Sequence, residues 1–367
     1  MPRLPGLDLL RAIAIVWVML FHSWMIGGIG GPLQPIADCG WMGVDLFFVL
    51  SGYLIGFQLL EPLSRGEPLR FGAFYLRRAF RILPAFLAVL AVYLLFPAWR
   101  EAPGMQPAWQ FLTFTLNLLI DYQHNQAFSH AWSLCVEEHF YLLFPLLAWW
   151  LARCGSRMFV VGSAVLIVAA GLLLRGYAVL HGKDWLESIY YPTWTRLDGL
   201  LAGVLLAAIQ AYRPDWWTAA QRSANTLACV GLLLVGAAIW LFRDKTGFAA
   251  SVYGFPLLAL GLALLVTACA GSSWLGRCRV PGAGWVAGIS YSLYLSHKLA
   301  MHAVHEVLSR WPAMHGLAAF AVYALAIAAA GALLHHAVEQ PFLRLRTRVT
   351  RADARAPTPT APVPVRD

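Results

Sequence analysis

The chain has 367 residues, 60% of them hydrophobic and only 12% charged. Soluble domains carry about 25% charged and about 45–50% apolar residues, so a water-soluble fold would have no way to bury this much apolar surface. The net charge of +9 at pH 7 does not point to nucleic acid, because the Lys and Arg residues sit between apolar blocks, as they do in cytoplasmic loops. The six cysteines, Cys39, Cys135, Cys154, Cys229, Cys269 and Cys278, are scattered with no CxxC pair. Neither a disulfide framework nor a bound metal is therefore expected.

In chain order the apolar blocks run to roughly 18–23 residues each, the length of a helix that crosses a bilayer. They predict ten spans, near residues 7–26, 40–60, 79–97, 134–152, 158–180, 195–212, 224–242, 249–271, 283–306 and 316–338. The expected fold is all-α, a polytopic transmembrane helical bundle over residues 1–345, followed by a disordered cytoplasmic tail over 346–367. The stretch 108–120 is apolar but too short to span, and reads as a re-entrant or interfacial segment. Lys and Arg in alternate loops number 18 on the side of the N-terminus against 5 on the other, which puts both termini in the cytoplasm.

Charged groups in lipid are costly, so each one inside a span is a candidate for function. The first span carries Arg11 and His22, separated by about 16 Å of helix. With the N-terminus inside, Arg11 lies in the inner half, where snorkelling to the headgroups is the plain alternative. His22 lies near the outer face, where an interfacial histidine without chemistry is the plain alternative. Asp45 opens the second span, Glu137 and Glu138 the fourth, and Arg196 and Asp198 the sixth, all from the outer side. Charged groups meeting at one depth from four spans predict a polar outer cavity. On the inner side Arg77, Arg78 and Arg81 precede the third span, with Arg77 and Arg81 on one helix face. They read either as ordinary loop charge or as an anion site, since Arg binds phosphates well. Together with Arg11 they predict a basic inner pocket about 16 Å from the outer cavity. That separation suits a long, thin donor with a phosphorylated head and a reactive tip.

These residues fall in blocks that resemble a known family. Arg11-x10-His22, the run Gly43-Val44-Asp45-Leu46-Phe47-Phe48-Val49-Leu50-Ser51-Gly52-Tyr53, and Trp132-Ser133-Leu134-x-x-Glu137-Glu138-x-Phe140-Tyr141 are similar to motifs of the acyltransferase family 3 proteins. The block from Arg196 to Gly203, the block from Ser290 to His297 that contains Tyr294, and Glu339-Gln340-Pro341-Phe342 resemble further motifs, in order, so that the likeness runs from residue 5 to about 345. The family comprises bacterial integral-membrane O-acyltransferases that act on surface or exported glycans. The resemblance implies a multi-pass protein of the bacterial inner membrane that moves an acyl group, usually acetyl, from cytoplasmic acyl-CoA to a carbohydrate hydroxyl. It implies no bound cofactor: acyl-CoA is the donor substrate, with Arg11, Arg77, Arg78 and Arg81 expected at its head. The carbohydrate acceptor, free or lipid-linked, and membrane lipids are the other expected partners, with no nucleic acid. The acceptor sugar and the oligomeric state stay open.

A sugar hydroxyl is a poor nucleophile until a base takes its proton. His22 is the expected base, with Glu137 orienting its ring and Glu138 as the alternative partner. Asp45, Ser51, Tyr53, Trp132, Ser133, Glu138, Arg196, Asp198, Tyr294 and His297 are expected to line or support the cavity. Arg196 and Asp198 alternatively pair with each other, and Tyr294 and His297 alternatively pack between helices. Direct transfer and an acyl-histidine intermediate are both open. Acceptor contacts are expected in the outer loop 98–133, from Trp109, Tyr122 and His124. One rival class is a secondary transporter or flippase of a sugar or lipid-linked sugar, which commonly shows inverted repeats; none is detectable here. A b-type haem protein using His297, His302, His305, His335 and His336 is the other, and the adjacency of the last two fits it poorly.

Overall fold

The computed structural model describes residues 4–310 and 316–355, and residues 356–367 of the expected tail lie outside them. Among the described residues the chain is helical, and the sole β pairing is an isolated bridge between Met105 and Ala127. Ten long helices carry the fold: α1 (Pro5–Phe21), α2 (Met42–Ser64), α3 (Phe71–Leu95), α4 (Trp132–Cys154), α5 (Arg157–Leu180), α6 (Asp198–Tyr212), α7 (Ala224–Leu241), α8 (Phe255–Cys269), α9 (Ala283–Leu308) and α10 (Gly316–Leu334). Eight helices among the described residues are long and apolar enough to cross a membrane. The two expected spans outside that set are α6, apolar but only 15 residues long, and α9, which is 26 residues long and buries Ser292, Ser296, His297 and Lys298.

The helix ends follow from local sequence. Pro5 sits in the first turn of α1, where its missing N–H is no loss. The α1 helix tightens into a 3₁₀ turn over His22–Ile26 and stops at Gly27, whose φ of +89° suits glycine. α4 stops the same way at Gly155, φ +62°. Beyond α10 the chain passes through a π turn, His335–Glu339, into the helix Gln340–Arg355. That helix runs ten residues into the stretch 346–367.

Helix packing brings distant motifs together. The crossing of α2 and α6 depends on glycine at two positions: a Cβ on Gly52 would lie 2.1 Å from the Leu200 carbonyl oxygen, and one on Gly203 2.2 Å from that of Val49. Small residues allow this backbone approach, which is how membrane helices pack without a hydrophobic force between them. α1 lies against α2 and α9, and α9 against α10. α5 is peripheral: its buried residues are Gly171, Arg175, Gly176 and Ala178, and its remaining face is apolar, as suits lipid.

The apolar stretch 108–120 is a packed cap over the outer helix ends. Ala108–Leu112 and a 3₁₀ turn over Leu116–Leu118 bury Phe111 and Leu116. The Asn117 side-chain amide donates to the Tyr191 carbonyl at 3.2 Å and to Thr193 Oγ1 at 2.8 Å. Phe128, held at φ +56°, stacks on Tyr93 with ring centroids 4.5 Å apart and on Phe111 at 5.4 Å. This aromatic stack over-determines an otherwise strained backbone position.

Candidate active site

The end of the bundle where α1 begins, the inner end in the expected orientation, holds a cavity of about 400 Å³. Arg11 of α1, Arg78 and Arg81 of α3, and Arg346 of the helix Gln340–Arg355 line it, as do Glu137 and Glu138. Three of the four arginines expected at a donor head thus meet in one space. Arg77 does not line it, and its Nε is buried without a hydrogen-bond partner. Arg81 pairs with the fully buried Glu339. Glu339 also accepts from Ser292 Oγ at 2.6 Å and contacts His335 Nδ1 at 2.8 Å. Ser51, Tyr141, Ser133 and Tyr294 also line the cavity.

Glu137 belongs to this inner cavity. It accepts a hydrogen bond from Tyr141 Oη at 3.0 Å, and Tyr141 in turn meets Ser51 Oγ at 2.6 Å. Among the described residues Glu137 is not a partner of His22, so the expected pairing of this carboxylate with the His22 ring is corrected. The reason is depth: one turn into α4 from the outer end places Glu137 below Ser133, on the arginine side. Glu138 lines the same space.

His22 lies instead against two other histidines. Its ring centroid is 4.8 Å from that of His297 and 6.4 Å from that of His130, and His130 and His297 are 4.9 Å apart. The hydrogen bonds assign the tautomers. His297 Nδ1 is 2.7 Å from the Tyr294 carbonyl, which is only an acceptor, so Nδ1 carries the proton and Nε2 the lone pair. His22 Nδ1 is 3.2 Å from that Nε2 and 2.9 Å from the Val18 carbonyl. Both neighbours are acceptors, so His22 Nδ1 is the protonated nitrogen. His22 Nε2 is left with a lone pair, the form a general base needs.

The trio adjoins Tyr294 of the inner cavity's lining, whose ring centroid is 5.5 Å from that of His130 and 5.8 Å from that of His297. Tyr294 Oη donates to the His130 carbonyl at 2.8 Å and meets Ser133 Oγ at 2.6 Å, so this pair forms a wall between the cavity and the histidines. On the far side is a second, outer cavity of about 200 Å³. It is lined by Lys298, next in sequence to His297, and by Trp24, Met25 and Ile26 of the turn that His22 begins. Glu101 and Tyr122 complete one wall, while Trp109 and His124 stand outside it.

The outer-end charges of α2 and α6 do not converge on His22. Arg196 and Asp198, expected either in the cavity or paired with each other, go to different partners. Arg196 donates to Asp45 at 2.8 Å, its guanidinium 4.1 Å from the Phe255 ring and 4.6 Å from the Tyr190 ring. Asp198 pairs with Arg175 of α5 at 2.6 Å. These ion pairs staple α2 to α6 and α5 to α6. Trp132 packs on Arg196 and Phe48. Tyr53 donates to Gln210 at 2.7 Å and stacks on Trp217, near the inner end of α6. Asp45, Tyr53, Trp132, Arg196 and Asp198 line neither cavity.

Residues that sequence reading passed over are His130, Arg175, Glu101, Lys298 and Arg346. A signal existed for two of them, since Arg175 and Lys298 are charges inside expected spans. His130, Glu101 and Arg346 gain their place only from packing. Among the described residues no group of three or more His, Cys, Asp or Glu is placed to hold a metal ion.

A family model described as an acyltransferase domain matches residues 4–335 of the chain. A provisionally named O-acetyltransferase of Staphylococcus aureus strain COL is 28% identical over 331 residues, which cover 83% of this chain and 52% of that protein. The O-acetyltransferase OatA of Staphylococcus aureus strain NCTC 8325 is 32% identical over 231 residues, 57% of this chain and 35% of that protein. The chain therefore spans about half the length, or less, of these curated relatives. No solved structure matches it.

Proposed function

Because the chain belongs to the acyltransferase family 3, we propose that it moves an acyl group, acetyl in the first instance, from acyl-CoA on the cytoplasmic side to a hydroxyl of an exported or surface carbohydrate. In this reading the protein crosses the bacterial inner membrane ten times, with both termini in the cytoplasm. The single observation that carries it is the hydrogen-bonded state of His22, whose Nδ1 faces two acceptors and whose Nε2 is left as a base. Its partner His297 lies on α9 between Tyr294, which lines the cavity rich in arginine, and Lys298, which lines the second cavity.

The donor's phosphates bind at Arg11, Arg78 and Arg81 with Arg346, since guanidinium forks match phosphate oxygens. The pantetheine arm follows the inner cavity towards Ser133 and Tyr294. Movement of the Tyr294–Ser133 wall brings the thioester carbonyl to His22. His22 Nε2 takes the proton of the sugar hydroxyl as its oxygen attacks the carbonyl carbon. The C–O bond forms, the C–S bond breaks, and the proton passes to the departing CoA thiolate. His297 takes the orienting part first expected of Glu137, because it holds the proton of His22 on Nδ1. Glu137 acts within the donor channel, where it fixes Tyr141 and Ser51.

Membranes containing the protein, incubated with labelled acetyl-CoA and de-O-acetylated surface glycan, are expected to yield labelled glycan. His22→Ala is expected to lower that rate by about 10²–10⁴-fold, the usual share of a general base. Transfer by this variant at a near wild-type rate would remove the assignment. Mass spectrometry of surface glycans from cells with and without the protein reads the acceptor position and the acyl mass directly.

A further inference from the structure

The outer cavity has the makings of a binding site that the acyl-transfer chemistry does not by itself assign. Glu101 and Lys298 meet there at 3.7 Å with side chains only 5% and 6% exposed. Each is committed on one side: Glu101 Oε1 accepts the Phe128 N–H at 3.0 Å, and Lys298 Nζ donates to Ser129 Oγ at 3.3 Å. Glu101 Oε2 is buried, and the buried Tyr93 hydroxyl lies against the same carboxylate. Lys298 carries three N–H donors, of which Ser129 and Glu101 occupy two, so one is left for a ligand in the cavity. Phe128 holds Glu101 in place from the aromatic stack described above, so the ion pair is rigidly placed.

The rim supplies the complementary surface. Trp24 and Tyr122 line the cavity together with Gln126, His302 and Glu306. Trp24 is 55% exposed at the mouth. An aromatic face beside buried hydrogen-bonding groups matches a sugar ring, which has apolar C–H faces and a belt of hydroxyls. A volume of about 200 Å³ lies below the range of about 300–1,000 Å³ usual for drug-sized ligands, which limits the occupant to one ring. Lys298 and Glu101 offset each other's charge, which suits a neutral ring.

We propose that this outer cavity is the acceptor subsite, holding one neutral pyranose unit of the glycan with a ring hydroxyl on the Glu101–Lys298 pair and the ring face on Trp24. The proposal rests on acyl transfer to a carbohydrate and adds where that carbohydrate sits. The turn His22–Ile26 carries the base at one end and Trp24 within it, so the subsite and the base share one rigid element.

The test measures binding and turnover separately, with the full chain in lipid nanodiscs. The probe is tritiated, de-O-acetylated surface glycan from cells lacking the protein. Glu101→Gln and Trp24→Ala are each expected to weaken glycan retention about tenfold, the loss of one charge-assisted hydrogen bond or one stacked face. Both are expected to raise the KM for glycan in the acetyl-CoA assay by a similar factor. His22→Ala is expected to retain glycan while its transfer falls by about 10²–10⁴-fold. Trp24 lies at the rim, so Trp24→Ala keeps the test decisive if Glu101→Gln fails to fold. Wild-type retention in the variants, or no retention by the wild type, overturns the subsite. Glycan bound and lost in the variants, with no acetyl transferred, upholds the subsite and sinks acyl transfer instead.

Discussion

At the scale of single residues, the proposed base is defined by what its other nitrogen touches. His22 would be an unremarkable helix-end histidine without His297, 275 positions away, which presents a lone pair at 3.2 Å. His297→Leu is therefore expected to lower the rate of transfer by about 10–100-fold, the usual cost of losing an orienting partner. His297→Gln offers an amide oxygen as acceptor and is expected to recover part of the rate, with the KM for acyl-CoA unmoved in both. Equal rates for the Leu and Gln variants would show that His297 only fills space. His22 is a candidate from the sequence alone, because a histidine in a span invites the question of function. Its partner was not: Glu137 shares a motif with no feature that tells its depth, and α4 carries it to the arginine side of Tyr294.

At the scale of elements, buried ion pairs and close glycine crossings decide how the helices stand. Arg196 with Asp45 ties α6 to α2, and Arg175 with Asp198 ties α5 to α6. Removing one partner leaves a buried charge without compensation, a loss of about 3–5 kcal/mol. Arg175→Ala and Arg196→Ala are thus expected to lower the thermal stability of the detergent-solubilised protein markedly, and the double replacement Arg175→Met with Asp198→Leu much less. Double and single variants of equal stability would show that the pair holds nothing. Gly203→Val forces α2 and α6 apart, because its Cβ alone would meet the Val49 carbonyl at 2.2 Å. Glu339 has a comparable task on the inner side, where it gathers Arg81, Ser292 and His335 at the root of the helix that carries Arg346. Glu339→Ala is expected to raise the KM for acyl-CoA about tenfold, and an unchanged value would separate that helix from the donor site. Asp45, Arg196 and Asp198 stand out in the sequence as charges at span ends. Which carboxylate faces which arginine depends on helix rotation, and the pattern of apolar residues around α5 and α6 does not encode it.

At the scale of the whole molecule, the sidedness of the chain makes a direct prediction. Cys154 at the end of α4 and Cys278 before α9 are both exposed and free. With both termini inside, a membrane-impermeant maleimide is expected to label them only after intact cells are permeabilised, whereas a cysteine introduced at Gln123 is labelled at once. Labelling of Cys154 in intact cells would invert the topology and with it the direction of transfer. Length of apolar run, positive loops and the placement of charges within spans are local properties, and the sequence by itself determined from them an all-helical chain of long apolar helices with arginines clustered at the start of α3. Only the tertiary structure decided that His297 and not Glu137 adjoins His22, that Asp45, Arg196 and Asp198 serve as staples, and that Glu101 and Lys298 meet at a second cavity. The physical reason is that a helix fixes the spacing of its side chains along its own axis. Its rotation and depth against its neighbours are set by packing, through glycine crossings and ion pairs whose partners lie up to hundreds of residues away.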